Sequence, residues 1–232
     1  MKINDGMTNN VASICWLRTG SILSVFISIV LLGMSMNASA LFDNTVNWKE
    51  EVVLHDGSKL IAKRSHTYSD HFALGSRRPV IVGRSIEFNV PGESQNITWQ
   101  SDKSQRFLNL LVLDIKDGIP YLATNTGGCA TYNEFGRPNP PYLFYKYDNA
   151  STQWKRIPVE EFPQAFTRTN LMVDMGNDEK SILEEDRKLG YVSAATVNKL
   201  NVYLTSDLRN IIRTKISYGP GMGNVTCPKS NC

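Results

Sequence analysis

Histidine is scarce in this chain and basic residues never cluster. Three histidines (His55, His66, His71) are present, and the 25 Lys and Arg are scattered among 22 Asp and Glu. A chain with no basic run or stripe lacks the electrostatic footprint of a nucleic-acid partner, so none is expected. No H-E-x-x-H pair and no third ligand near the histidines is visible, so neither a metal nor a cofactor is expected. There is no internal repeat and no low-complexity tract. The Tyr147-Asp148 turn followed by Trp154 has the look of one propeller blade, but a propeller repeats such a unit every ~50 residues and this one stands alone.

Charge is also missing, locally, from Thr19 to Phe42. Arg18 and Lys2 precede this window, Ser21 to Met34 forms its apolar centre, and Ala38-Ser39-Ala40 closes it. That is the layout of an export signal, with small residues where a signal peptidase cuts. The apolar centre is fourteen residues long, short of the ~20 that cross a bilayer. The reading is therefore a signal peptide over 1–40, with an uncleaved inner-membrane anchor as the alternative. The only expected membrane contact is this segment, if it is retained. Removing it leaves 192 residues with 23 basic and 21 acidic groups, enough for one domain with a real core.

Three cysteines follow the signal: Cys129, Cys227 and Cys232. In an oxidising compartment cysteines pair, and an odd number leaves one over. The expectation is a bond from Cys129 to Cys227 or Cys232, which would tie down a Gly/Pro-rich tail with little apolar surface of its own. The competing pairing is Cys227–Cys232.

Alternating apolar residues around Asp56-Gly57 predict a hairpin over Glu51 to Arg64 with a two-residue turn. Ser85 to Val90 and Asn96 to Gln100 predict a second. Phe107 to Ile115 is nearly continuously apolar, as in a strand buried on both faces, and turns at Lys116-Asp117-Gly118 into Pro120 to Thr124. Tyr142 to Tyr147 and Trp154 to Val159 make a fourth pair. After Phe166 the pattern turns helical: Asp178 to Leu189 ends at Gly190, Ser193 is an N-cap for Ala194 to Leu204, and Leu208, Ile211 and Ile212 follow at helical spacing. The fold class expected is α+β, an antiparallel β-rich sheet or sandwich followed by a C-terminal helical segment. Its parts are a β-rich domain over 41–166, a helical segment over 167–218 packed on it, and a coil tail over 219–232.

Four places hold chemistry-bearing residues. The aperiodic stretch Asn125 to Pro141 carries Tyr132, Phe135 and Arg137 among glycines and prolines. Aromatic rings and an arginine on a stiff loop suit a recognition surface, and these three are the candidate binding residues. Cys129 follows Gly127-Gly128 and could serve as a hydrolase nucleophile with His66 or His71 as base. His66-Thr67-Tyr68-Ser69-Asp70-His71 reads equally as a solvated loop after the first hairpin. Tyr142, Phe144, Tyr145, Tyr147 and Trp154 place aromatics on both faces of a strand; one face must be core, and the other could hold a sugar. No complete catalytic constellation emerges, so catalytic residues are expected to be none.

The blocks Trp48-Lys49-Glu50-Glu51-Val52-Val53-Leu54-His55-Asp56-Gly57, Gly136-Arg137-Pro138-Asn139-Pro140-Pro141-Tyr142 and Trp154-Lys155-Arg156-Ile157-Pro158 carry a likeness. The chain resembles a group of exported proteobacterial proteins that have no assigned activity. The resemblance implies a bacterial envelope setting and transfers no catalytic residue. The sequence thus reads as an exported, periplasmic, non-enzymatic binding or envelope-associated protein, whose partner would be an envelope protein or a glycan.

Overall fold

A computed structural model describes residues 44–72, 79–101, 108–173, 186–216 and Cys227. The fold is built mainly from antiparallel strands in two four-stranded sheets. The first sheet contains β1 (Thr45–Val53), β2 (Lys59–Phe72), β3 (Pro79–Asn89) and β4 (Asn96–Gln100), in that order. The second contains β5 (Leu108–Lys116), β6 (Ile119–Thr126), β7 (Tyr142–Asp148) and β8 (Gln153–Ile157). Helices are sparse: α1 (Cys129–Glu134), α2 (Ala194–Asn201) and α3 (Ser206–Arg209). Two 3₁₀ turns, Val159–Glu161 and Asp186–Lys188, complete the set among the described residues.

The β-rich expectation holds, and the helical one is reduced. Ser193 does cap α2, its hydroxyl accepting from the Thr196 N–H at 3.3 Å. Leu208 lies in α3, but the chain beyond is extended, with Ile211 N donating to Thr167 O at 2.9 Å. Residues 174–185, which hold most of the helix read at Asp178 to Leu189, lie outside the described residues, as does the tail apart from Cys227.

The two sheets share one core. Val52, Leu54, Leu60, Ala62, Ile86, Phe88, Ile97 and Trp99 from the first meet Leu108, Leu110, Leu113, Leu122, Leu143, Tyr145 and Tyr147 from the second. Burying such side chains at ~25 cal/mol per Å2 is the main drive for closing the sandwich. β5 is buried on both faces because the other side of its sheet is covered too. Leu111, Val112, Tyr121, Phe144, Phe162, Phe166 and Ile211 make a second cluster there. A register shift between Leu110 and Val112 allows this. The bulged Leu111 turns its carbonyl to accept the N–H groups of Asn170 and Leu171, at 3.1 and 3.2 Å.

Turn chemistry places the two Asp-Gly pairs differently. Lys116 pairs with Ile119, so Asp117-Gly118 is a two-residue hairpin loop with φ of 52° and 74°. Both values are left-handed, as a type I′ turn requires. Asp56-Gly57 instead sits inside a longer loop, closed by Leu54 N donating to Ser58 O at 2.9 Å. A short hydrophobic satellite completes the fold, with Trp48, Met172, Val192 and Val197 packed where β1 meets α2. There Glu51 N donates to Val192 O and Val192 N to Lys49 O, both at 2.8 Å, so the outer edge of β1 is covered.

Candidate functional site

The expected recognition loop is knitted into the body. It is not irregular throughout: β6 runs to Thr126 and α1 follows, ending at Gly136 (φ 76°) and Arg137 (φ 58°) with Arg137 N bonded to Tyr132 O. Tyr132 is buried rather than exposed. Phe135 is half-buried against the inter-sheet core, with the Arg156 guanidinium 5.5 Å from its ring centroid. Arg137 is half-buried too, stacked 5.0 Å over Tyr132. It donates to Asn133 Oδ1 at 2.7 Å and to the carbonyl of Cys227 at 3.1 Å. Tyr132 and Arg137 do come together, and they do so beside the Cys129–Cys227 disulfide, whose Cα atoms are 5.2 Å apart, while Phe135 turns to the inter-sheet core. Arg137, braced on the Tyr132 ring, helps to hold Cys227 in place.

That disulfide takes the first of the two expected cysteine pairings, and it consumes the Cys129 sulfur that a nucleophile would need. Cys232 lies outside the described residues. The histidines of the second candidate are not in a solvated loop, because β2 runs on through them to Phe72. His66 is 1% exposed and packs edge-on to Trp48 at 4.8 Å. Neither of its ring nitrogens has a hydrogen-bond partner among the described residues. Burial, then the charges of Arg64 and Arg84, hold its pKa down to about 2, so the ring is neutral at any physiological pH. His71 lies on the same strand, and its side chain lies outside the described residues.

The aromatic strand offers no free face either. Tyr142 and Phe144 belong to the second cluster, and Tyr145 and Tyr147 to the first. Trp154 is half-buried, its indole N–H donating to Thr98 O at 2.9 Å and so pinning β8 across β4. Both faces of β7 are core.

Several partnerships escape the sequence. Glu50 and Arg64, buried side by side on the inner face of the first sheet, form an ion pair at 3.0 Å. The same carboxylate accepts from the Trp48 indole at 3.1 Å and from Met172 N at 2.6 Å. Burial raises the Glu50 pKa, and the Arg64 charge opposes that rise. His55 Nδ1 meets Asp114 Oδ1 at 2.8 Å, while His55 N donates to Asp114 Oδ2 at 3.0 Å. Burial likewise lifts the Asp114 carboxyl above its ordinary value. Tyr142 donates its hydroxyl to Asp207 O at 2.6 Å, and the Asn139 side chain brackets Ile216. The Trp48, His55, Arg137, Asn139, Tyr142 and Trp154 side chains are thus joints between distant segments.

The exposed face of the first sheet is different. Cross-strand pairing lines up Asn47, Ser65, Ser85 and Gln100 in one row, and Lys49, Lys63, Glu87 and Thr98 in the next. Asn47, Lys49, Lys63, Ser65, Ser85 and Glu87, together with Trp48, Arg64 and Gly190, line a groove of about 510 Å3. That volume lies within the ~300–1,000 Å3 of small-molecule sites. Ser65 and Ser85 share a hydrogen bond at 2.6 Å, and their small side chains leave the sheet low between taller neighbours. Lys63 is paired with Glu87 at 2.6 Å, and Asn96 Nδ2 donates to the same carboxylate at 2.8 Å. These partners hold the Glu87 pKa below its usual value. Sequence reading missed this site because outward polar residues on a strand carry no signal until the register aligns them.

Comparison with protein-family models, with curated proteins and with solved structures finds no match to this chain. No cluster of His, Cys, Asp and Glu among the described residues could hold a metal ion, and no helix among them is long and apolar enough to cross a membrane.

Proposed function

We propose that this is an exported, periplasmic protein without enzymatic activity, and that it binds an envelope component through the groove on the exposed face of the first sheet. The groove is the observation that carries the reading. It is an open trough of hydroxyl, amide and charged groups on a rigid sheet floor, and a rigid floor spares a binding site the entropy of ordering itself. The Cys129–Cys227 disulfide supports the compartment, since such bonds form and persist in oxidising surroundings. It also favours binding over hydrolysis, because Cys129 offers no free thiolate and His66 is buried on the other sheet. A retained signal would leave the same domain on the same side of the membrane.

Replacing Ser85 by Tyr fills the groove with a residue that strands accept readily. The S85Y protein, expressed in the native host and recovered by osmotic shock, is expected to keep its melting temperature within a few degrees. It should lose whatever envelope material co-purifies with the wild-type protein after mild cross-linking. Equal recovery by both proteins would remove the groove from the reading. Retention of the protein in the cytoplasm would remove the compartment.

A further inference from the structure

Lys49 and Lys63 face each other directly across β1 and β2, both pointing into the groove. Like charges placed directly opposite destabilise a strand pair, and the remaining charges of the site do not relieve both. Lys63 is committed to Glu87, and the nearby guanidinium of Arg64 is committed to Glu50. Glu51, on the same face as Lys49, is taken by Lys59 at 3.0 Å and by the N–H of Ala194 at 3.1 Å. Among the described residues Lys49 has no ion pair. Among the described residues the groove therefore holds one ammonium without an ion pair, set beside the side-chain amide of Asn47 and the Ser65 and Ser85 hydroxyls.

Building on the groove reading above, we infer that the ligand is an acidic glycan, a sugar chain whose carboxylate sits against Lys49 while its hydroxyls meet Asn47, Ser65 and Ser85. The cation supplies a charge-assisted hydrogen bond, which is roughly twice as strong as a neutral one. The row of hydroxyl and amide groups running from strand to strand matches a chain of hydroxyl-bearing rings better than a compact anion. The carboxylate of Glu87 is compensated by Lys63 and also accepts from the Asn96 amide, so its repulsion of the ligand is weakened.

The test is an amide NMR titration of the exported, disulfide-bonded protein with trigalacturonic acid, its fully methyl-esterified form, and inorganic phosphate. The acid should shift the resonances of Asn47, Lys49, Ser65 and Ser85 and bind at least about tenfold more tightly than the ester, the difference expected of one charged hydrogen bond. K49Q should bring the acid down to the affinity of the ester without lowering the melting temperature, and added salt should do the same by screening. Acid and ester binding equally would overturn the inference while leaving the groove as a binding site. Phosphate binding as tightly as the acid, at the same residues, would overturn it by showing a bare anion site. Neither sugar moving the groove resonances would overturn it too, and the groove itself would then be judged by S85Y alone.

Discussion

Acidification should destabilise this protein through one buried ring. His66 is held neutral in the folded state, its pKa pushed down to about 2 by burial and by Arg64 and Arg84, whereas an unfolded histidine titrates at its ordinary value. Between these two values the unfolded chain binds the proton and the folded one refuses it. Stability therefore falls as pH drops through the unfolded pKa, and it is fully present above that. From pH 7.5 to pH 5.0 the loss from this single group is about 2 kcal/mol, or about 4–8 °C in melting temperature for a chain of this size. Glu50 and Asp114 act in the opposite sense, because their folded pKa values are raised, so the wild-type profile is a sum. His66→Phe isolates the term: it keeps the edge-on ring contact with Trp48 and leaves no nitrogen to protonate. Urea denaturation of both proteins across that pH range should show the wild type losing about 2 kcal/mol more than the variant. Parallel pH profiles would refute the argument, since they would mean that the ring finds water or a proton acceptor in the folded protein.

Two other perturbations probe the joints. Asn170→Ala removes the side chain that bonds Leu113 N at 3.1 Å, Leu113 O at 2.8 Å and Val53 O at 2.9 Å. It leaves the β5 edge and the end of β1 unsatisfied, and should cost about 2–4 kcal/mol in urea denaturation. A loss under about 0.5 kcal/mol would show that water takes over these bonds. Replacing Cys129 and Cys227 together by serine opens a closure of 98 residues and should cost about 4–5 kcal/mol in the chain-entropy limit. Wild-type protein in reductant should melt at the same lowered temperature, and insensitivity to reductant would place the bond elsewhere.

Much of the strand layout was legible locally. Asp117-Gly118 announces its hairpin because the two adjacent left-handed residues of such a turn favour this residue pair, and the unbroken apolar run of β5 announces burial on both faces. Ser193 announces its helix because the cap is satisfied within three residues. The tail bridge to Cys129 was legible as one of few possible pairings. Where the reading failed, the deciding partner was far away. His66 to His71 looked like loop because polar residues after a hairpin usually are, yet β2 continues there since β1 and β3 pair along it. Tyr132 looked exposed because nothing local says that its ring is buried and that Arg137 stacks on it and reaches the Cys227 carbonyl.

What the sequence by itself determined is what depends on neighbours a few residues apart: strand periodicity, the Asp117-Gly118 turn, the Ser193 cap and cysteine count. Tertiary structure alone decided the rest. It decided that Glu50 finds Arg64 and Met172, that Asn170 substitutes for a strand at the edge of β5, and that β7 is core on both faces. It also decided that Asn47, Lys49, Lys63, Ser65, Ser85 and Glu87 share one groove. The physical reason is register: a one-residue slip in any pairing of β1, β2 and β3 would send alternate side chains to the opposite face. Register is set by burial of the inner residues Val52, Ala62 and Ile86, so the hydrophobic core on one side of the sheet composes the polar site on the other.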